Sequence, residues 1–285
     1  MAFGRALPAQ KMAVGAKIEE MVLRVIDSVH RQHIPGGQYQ AVLIDEGHDF
    51  QPEWLQLAAQ MVDPATSSLL VLYDDAQSIY KRKRLKFSWK SLGIKAQGTT
   101  TILKINYRNT RQILHAASAI AGDLLTAHEQ DDDGIPLLKP MSCGREGEAP
   151  VIIRLPSLRD EAFAIADHLS SAHQEGHAWG DMAVLCQDWK TMDLCASTLH
   201  QRKLPFSLRR RAGDFDPAAD TIQIMTMHAS KGLEFPVVAL PGVGHMPAAG
   251  QDEQDAARVF YVAATRATKR LLIGVGGNSV FARRL

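Results

Sequence analysis

Cysteine is scarce: Cys143, Cys186 and Cys195 are the three in 285 residues. Their spacing fits neither a metal-ligand pattern nor a disulfide framework. That excludes a disulfide-stapled scaffold and predicts ordinary thiols in a reducing compartment. Charge of one sign is not in excess either. Lys and Arg number 32 against 31 Asp and Glu, for a net charge of +1, so any nucleic-acid contact must come from a local basic patch. No apolar run approaches the roughly 18 residues of a membrane span. Lys11 and Lys17 interrupt any signal-peptide pattern, so a cytoplasmic protein is the expectation. Internal repeats are also absent. What is present is globular in character, 46% hydrophobic and 22% charged, which excludes a disordered chain. The length suits two domains.

Apolar residues recur at helical spacing from Lys11 to His33 (Ile18, Met21, Val22, Val25, Ile26, Val29), and Pro35-Gly36-Gly37 stops that helix. Ala41-Val42-Leu43-Ile44 follows, four apolar residues without alternation, the pattern of a strand buried on both faces of a parallel sheet. A helix from Pro52 to about Met61 leads to a second apolar strand, Leu69–Tyr73, giving a βαβ unit. Thr99–Ile105 reads as a strand, followed by a helix from about Thr110 to Leu125 and a loop over 127–149. Then come strand 151–155, helix 158–174, strand 182–187, helix 190–202, a short strand at 206–209, strands 221–226 and 236–240, a Gly/Pro loop at 241–250, helix 252–268 and strand 270–275. The predicted fold is α/β with mainly parallel sheets. Gly93–Gly98 separates two α/β blocks, which predicts domains at 1–98 and 99–285.

Several strand ends carry chemistry. The first strand ends in Asp45 and Glu46, at the carboxyl edge where open α/β sheets bind ligands. One acid can hold Mg²⁺ and the other can orient or deprotonate a water, the arrangement of a Walker B element. The second strand ends in Asp74-Asp75-Ala76-Gln77-Ser78-Ile79-Tyr80. There Gln77 can hydrogen-bond a terminal phosphate, or the segment is a polar loop. Asn106-Tyr107-Arg108 offers an aromatic for stacking and a cation for a phosphoryl group, or else a surface pair. A more specific stretch runs from Ile222 to Val238 through Thr226, His228, Lys231, Gly232 and Glu234. Near the C-terminus, Tyr261-Val262-Ala263-Ala264-Thr265-Arg266-Ala267 has an apolar helical face and projects Arg266 from its end. The basic run Lys81-Arg82-Lys83-Arg84-Leu85-Lys86, beside Phe87 and Trp89, is either a solvated loop or a track for a nucleic-acid backbone.

Taken in order, five motifs resemble the UvrD/Rep-type superfamily 1 DNA helicases: Asp-Glu-x-x-Asp at 45–49, Asp-x-x-Gln-Ser-Ile-Tyr at 74–80, Asn-Tyr-Arg at 106–108, Thr-x-His-x-x-Lys-Gly-Leu-Glu-Phe at 226–235 and Tyr-Val-x-x-Thr-Arg-Ala at 261–267. The resemblance implies two RecA-like P-loop NTPase domains with ATP and Mg²⁺ bound between them, and 3′ to 5′ movement on single-stranded or partly duplex DNA, as in DNA repair. It implies that Asp45 binds Mg²⁺, Glu46 activates water and Gln77 senses the γ-phosphate. By the same resemblance, Tyr107 stacks on adenine, Arg108 and Arg266 act as arginine fingers, Glu234 bonds the ribose, and Gly232 permits close backbone approach. Tyr80, Lys81, Arg82, Trp89, Thr226 and His228 fall towards the DNA.

The chain departs from the family's pattern in four places. His48 stands where the family has Gln, and Tyr73 replaces a Gly before Asp74. Roughly 110 residues separate Arg108 from His228, too few for the large inserted domain, so the likeness is to the short branch. Most consequentially, the sequence has no Gly-x-x-x-x-Gly-Lys-[Ser/Thr] and no Gly-Lys dipeptide. That loop supplies the phosphate cradle, its lysine and a Mg²⁺-binding hydroxyl. The expectation is therefore an incomplete first domain and a chain inactive alone, needing an N-terminal portion of the helicase. The alternatives are a catalytically silent DNA-binding or regulatory module and, behind it, a nuclease using the acidic clusters. No partner in a membrane is expected.

Overall fold

The computed structural model describes residues 14–73, 89–96, 98–101, 103, 105–121, 141–211, 214, 216 and 218–285, with backbone alone over 14–19. They form two compact units, one with the described residues up to 73 and from 89 to 100, the other with those from 101 onward.

The first unit contains α1 (Val14–His30), β1 (Ala41–Ile44), α2 (Pro52–Gln60), β2 (Ser68–Val71) and a 3₁₀ turn over Trp89–Leu92. β1 and β2 pair in parallel from Ala41↔Ser68 to Ile44↔Val71, so the expected βαβ unit is present. Pro52 occupies the first turn of α2, where its missing N–H is no loss. The core is small: Ile44, Leu55 and Leu92, with Val42, Phe50, Leu69, Val71, Trp89 and Ile94 against them. β1 was expected to be buried on both faces. It is buried on one: Ile44 is 5% exposed and Leu43 is 73% exposed, with Leu70 beside it at 51%. Successive side chains of a strand point to opposite faces, and the packed elements of this unit cover one of the two.

The second unit contains β3 (Ile105–Asn106), α3 (Arg111–Ala121), β4 (Met141–Ser142), β5 (Val151–Ile153), α4 (Leu158–Gln174), β6 (Met182–Cys186), α5 (Trp189–Gln201), β7 (Phe206–Leu208), β8 (Ile222–Thr226), β9 (Phe235–Leu240), α6 (Glu253–Ala264), β10 (Ala267–Gly274) and α7 (Val280–Arg284). Six strands form one sheet in the order β5-β10-β9-β6-β8-β7, and every pairing is parallel. β6 is the sequence Met-Ala-Val-Leu-Cys, buried throughout, as a strand covered on both faces requires. Met182, Val184 and Cys186 pack with α4 and α5. Ala183 and Leu185 pack with α3, α6 and α7. Fully burying a side chain such as Leu185 or Phe260 contributes about 1.5–3 kcal/mol, and both faces are lined with them. Four of the described helices start on side-chain caps: Ser157, Asp188, Asp252 and Ser279 accept the N–H of Asp160, Thr191, Asp255 and Ala282. Among the described residues no helix is long and apolar enough to cross a membrane.

Two expected elements are shorter than the sequence suggests. Among the described residues, the strand predicted over 99–105 is present as β3 alone, which pairs with β4 in a stretch read as loop. Here the threonines bond locally. Thr99 donates to the carbonyls of Lys95 and Ala96, and Thr100 to that of Ala96, so β-branched propensity is spent on a turn. The helix predicted to reach residue 268 ends at Ala264: Thr265 is its C-cap, with its hydroxyl on the carbonyls of Tyr261 and Val262, and β10 begins at Ala267.

Candidate functional site

In the first unit, the chain leaves β1 through Asp45 and Glu46. The exposed Asp45 carboxylate accepts the Glu46 N–H through Oδ1 at 2.8 Å. Glu46 adopts φ 52°, ψ 40°, a left-handed conformation that costs a non-glycine residue on the order of 1–3 kcal/mol. The strain sits at the residue for which the family resemblance implies water activation. Gly47 follows because nothing larger fits. Its N–H reaches the Leu72 carbonyl at 2.8 Å, and a Cβ there would lie 2.6 Å from Val71 Cγ1. The strained turn aims the Glu46 carboxylate at His48, whose Nε2 lies 2.9 Å from Glu46 Oε2. His48 is only 2% exposed. Its ring meets Tyr73 edge-on at 5.8 Å, and Tyr73 meets Trp89 edge-on at 5.5 Å. The two departures from the family's pattern in this region, His48 and Tyr73, are thus in contact. Trp89 is half-buried against the small core. Gln77, Tyr80, Lys81 and Arg82 lie outside the described residues.

In the second unit, three distant segments meet. The Asn106 side chain builds a turn: Oδ1 accepts the N–H groups of Arg108 and Asn109 at 2.9 and 3.0 Å, an Asx turn. The turn leaves the Tyr107 ring 72% exposed. Arg108 Nε lies 3.0 Å from Glu234 Oε2. Both partners are solvated, so the pair is worth at most about 1 kcal/mol and exchanges readily for another anion or donor. Gly232, two residues before Glu234, has φ +78°, and a Cβ there would meet nothing within 4 Å. Glycine is required there by conformation, and the space in front of it is open.

Arg266 was expected to project from its helix. Instead it is 2% exposed, because the helix stops short and the side chain turns inward. Nε donates to the Val262 carbonyl at 3.0 Å and Nη1 to the Leu233 carbonyl at 3.1 Å. Arg266 therefore braces the segment that carries Glu234. Asn109 completes the network. It is fully buried, donates from Nδ2 to the carbonyls of Thr265 and Ala267 at 2.8 and 2.7 Å, and accepts from Asn106 Nδ2 at 2.9 Å. Sequence reasoning missed Asn109. Its signal was its place directly after Asn-Tyr-Arg.

Thr226 and His228 close β8. Thr226 Oγ1 accepts the Ala229 N–H at 3.2 Å, which turns the chain into the 3₁₀ segment His228–Ser230. Burial pushes the His228 imidazole below its ordinary pKa and favours the neutral ring.

These arrangements suit a nucleotide in part. Tyr107 is a bare ring, Gly232 an open approach, Glu234 an accessible acceptor and Arg108 a weakly held cation. Among the described residues no group of three or more His, Cys, Asp or Glu could hold a metal unaided. Asp45, a single exposed carboxylate, fits a Mg²⁺ that is shared with substrate phosphates.

The chain is similar to known DNA helicases over part of its length. Over 82 residues the chain is 40% identical to the ATP-dependent DNA helicase Rep of Escherichia coli, covering 26% of this chain and 12% of Rep. Over 177 residues it is 28% identical to a probable DNA helicase of Mycoplasma pneumoniae, covering 59% of this chain and 30% of that protein. The chain spans less than a third of the length of either relative. Among solved structures, it overlaps the C-terminal domain of a possible DNA helicase from Lactobacillus plantarum WCFS1 at a TM-score of 0.46 and 19% identity, covering 63% of this chain and 93% of that one. The profile of the UvrD-like helicase C-terminal domain matches residues 101–216 and 207–276, together more than half of the chain. The chain belongs to the UvrD-like helicase C-terminal domain family.

Proposed function

We propose that this chain is the part of an ATP-dependent DNA helicase that grips the base, ribose and terminal phosphates of ATP and couples them to 3′ to 5′ movement on single-stranded DNA. One observation carries this reading. Tyr107-Arg108, Gly232–Glu234 and Thr265–Ala267, far apart in sequence, are tied into a single cluster by the Arg108–Glu234 pair, the Arg266–Leu233 bond and the Asn109 amide. When bound, Mg²⁺–ATP supplies the phosphoryl group and the metal charge. In this reading Tyr107 stacks on adenine, Glu234 releases Arg108 and accepts from the ribose, and Arg108 turns to the phosphates. Arg266 positions the Glu234 segment, and reaches a phosphate only by giving up two carbonyl partners. In the first unit Asp45 holds the ion and Glu46, steadied by His48, orients water. The chain divides into an N-terminal domain over 1–98 and a C-terminal one over 99–285.

The 285 residues contain no phosphate loop, so we infer that the chain alone does not turn ATP over and that the loop comes from polypeptide outside them. DNA-stimulated ATP hydrolysis by the purified chain tests this. The expected result is no turnover above background; turnover that Glu46→Gln abolishes would overturn it.

A second reading is a silent DNA-binding module. It is favoured by the burial of Arg266 and by the pairing of Arg108 with Glu234. It predicts salt-sensitive binding to single strands that no ATP analogue alters, so a nucleotide effect on DNA affinity removes it.

A further inference from the structure

Three neighbouring strands, β6, β8 and β7, run in parallel and end along one edge of the sheet. Thr226 ends β8 there and His228 follows it. Trp189 follows β6 as the first residue of α5, and Arg209-Arg210-Arg211 follows β7. Two strand spacings, about 10 Å, span the three ends.

Trp189 is 58% exposed. A bare indole at a strand end does nothing for the core, and this one is furnished with a cation. The Arg210 guanidinium carbon lies 5.9 Å from the Trp189 ring centroid, within cation–π reach. Arg210 is held by the carboxylate of Asp193, one helical turn beyond Trp189. Asp214 accepts the backbone N–H groups of Arg210 and Arg211, and those two bonds, Arg211's first, hold its carboxyl below the usual range. The third acid nearby, Asp188, is engaged as the cap of α5. Each carboxylate at this corner thus fixes local structure, while the Lys190 and Arg211 side chains are exposed.

We propose that Trp189 and Arg210 form a stacking site for one base of single-stranded DNA, with Arg210 also meeting an adjacent phosphate. A ring accepts any base on its face, and an arginine beside it supplies both a cation–π contact and backbone charge. The site continues the carboxyl edge that carries Thr226 and His228. It rests on the reading of the chain as DNA-binding, and it adds an anchor that none of the five motifs contains.

The test is the equilibrium binding of a fluorescein-labelled oligo-dT to the whole chain at low salt, followed by anisotropy. Trp189→Ala should weaken binding about 5- to 100-fold, while Trp189→Phe retains most of it. Arg210→Gln should flatten the dependence of log K on log salt by about one. Duplex DNA of the same length, whose bases are already stacked, should bind Trp189→Ala and the unsubstituted chain alike. Trp189 is exposed, so the unfolding midpoint should not move. Oligo-dT affinity within twofold in Trp189→Ala, or an equal loss on duplex, would overturn the stacking site and leave the DNA reading standing. No oligo-dT binding by the unsubstituted chain would remove both.

Discussion

Asn109 donates to two main-chain carbonyls that lie 156 and 158 positions further along the chain. Replacing it with Ala strands both buried carbonyls and removes the acceptor for Asn106. The expected cost is about 2–3 kcal/mol, read as a lower urea midpoint with an unchanged m-value; a loss under about 0.5 kcal/mol would mean that relaxation or water replaces the amide. Tyr107, two residues earlier, is the opposite case. It is largely exposed, so Tyr107→Ala should leave the midpoint in place and be felt only by a ligand. His228 carries a pH dependence. Its folded-state pKa is depressed by burial, so between that value and about 6.5 the unfolded chain binds the extra proton. The stability linked to the neutral ring is present above about pH 6.5 and is lost as pH falls through this window. Comparing urea midpoints at pH 7 and pH 5.5 should show His228→Gln losing less stability on acidification than the unsubstituted chain. Of these residues, Tyr107 and His228 are visible in the motifs. Asn109 is not, because its role lies in contacts that only the fold brings together.

At the scale of elements, the sequence reads best where burial is complete. α4 runs over Leu158–Gln174, the bounds predicted, because a Ser cap and an acidic first turn open it and an apolar stripe sustains it. β6 is a pure apolar run and could be little else. Reading fails where local bonds compete with pattern, as at Thr99 and Thr100, and where a helix stops early, as α6 does at Ala264, so that Arg266 turns to the carbonyls of Val262 and Leu233. It fails again at β1, whose apolar run gives no sign that Leu43 faces outward. The same contrast predicts dynamics: with a three-residue core, β1 and β2 amides should exchange with deuterium well before those of β6, β8 and β9, and equal protection would contradict the packing described. In the larger sheet Glu161 is a hidden fastener. It is fully buried on α4 and accepts the Gly242 N–H at 3.0 Å and the Gly276 N–H at 2.5 Å. Burial raises its pKa and the two N–H groups oppose that rise. Glu161→Gln sets an amide N–H₂ against one of those donors and should cost about 1–3 kcal/mol by urea unfolding.

At the scale of the whole molecule, the chain has a well-packed parallel sheet, in the unit that carries the Tyr107, Arg108 and Glu234 cluster, and a smaller unit that carries Asp45 and Glu46, and its sequence has no phosphate loop. Much of a nucleotide's affinity comes from that loop, so binding by the remaining groups should be weak and should depend on the stacking ring. The most direct measurement is the titration of a fluorescent ATP analogue with Mg²⁺ against the purified chain and its Tyr107→Ala and Glu234→Gln variants. The account predicts weak, saturable binding that falls at least about tenfold, or 1.4 kcal/mol, in Tyr107→Ala and to a lesser degree in Glu234→Gln, with unfolding midpoints unchanged. Binding that ignores both substitutions, or no saturable binding at millimolar concentration, would contradict it.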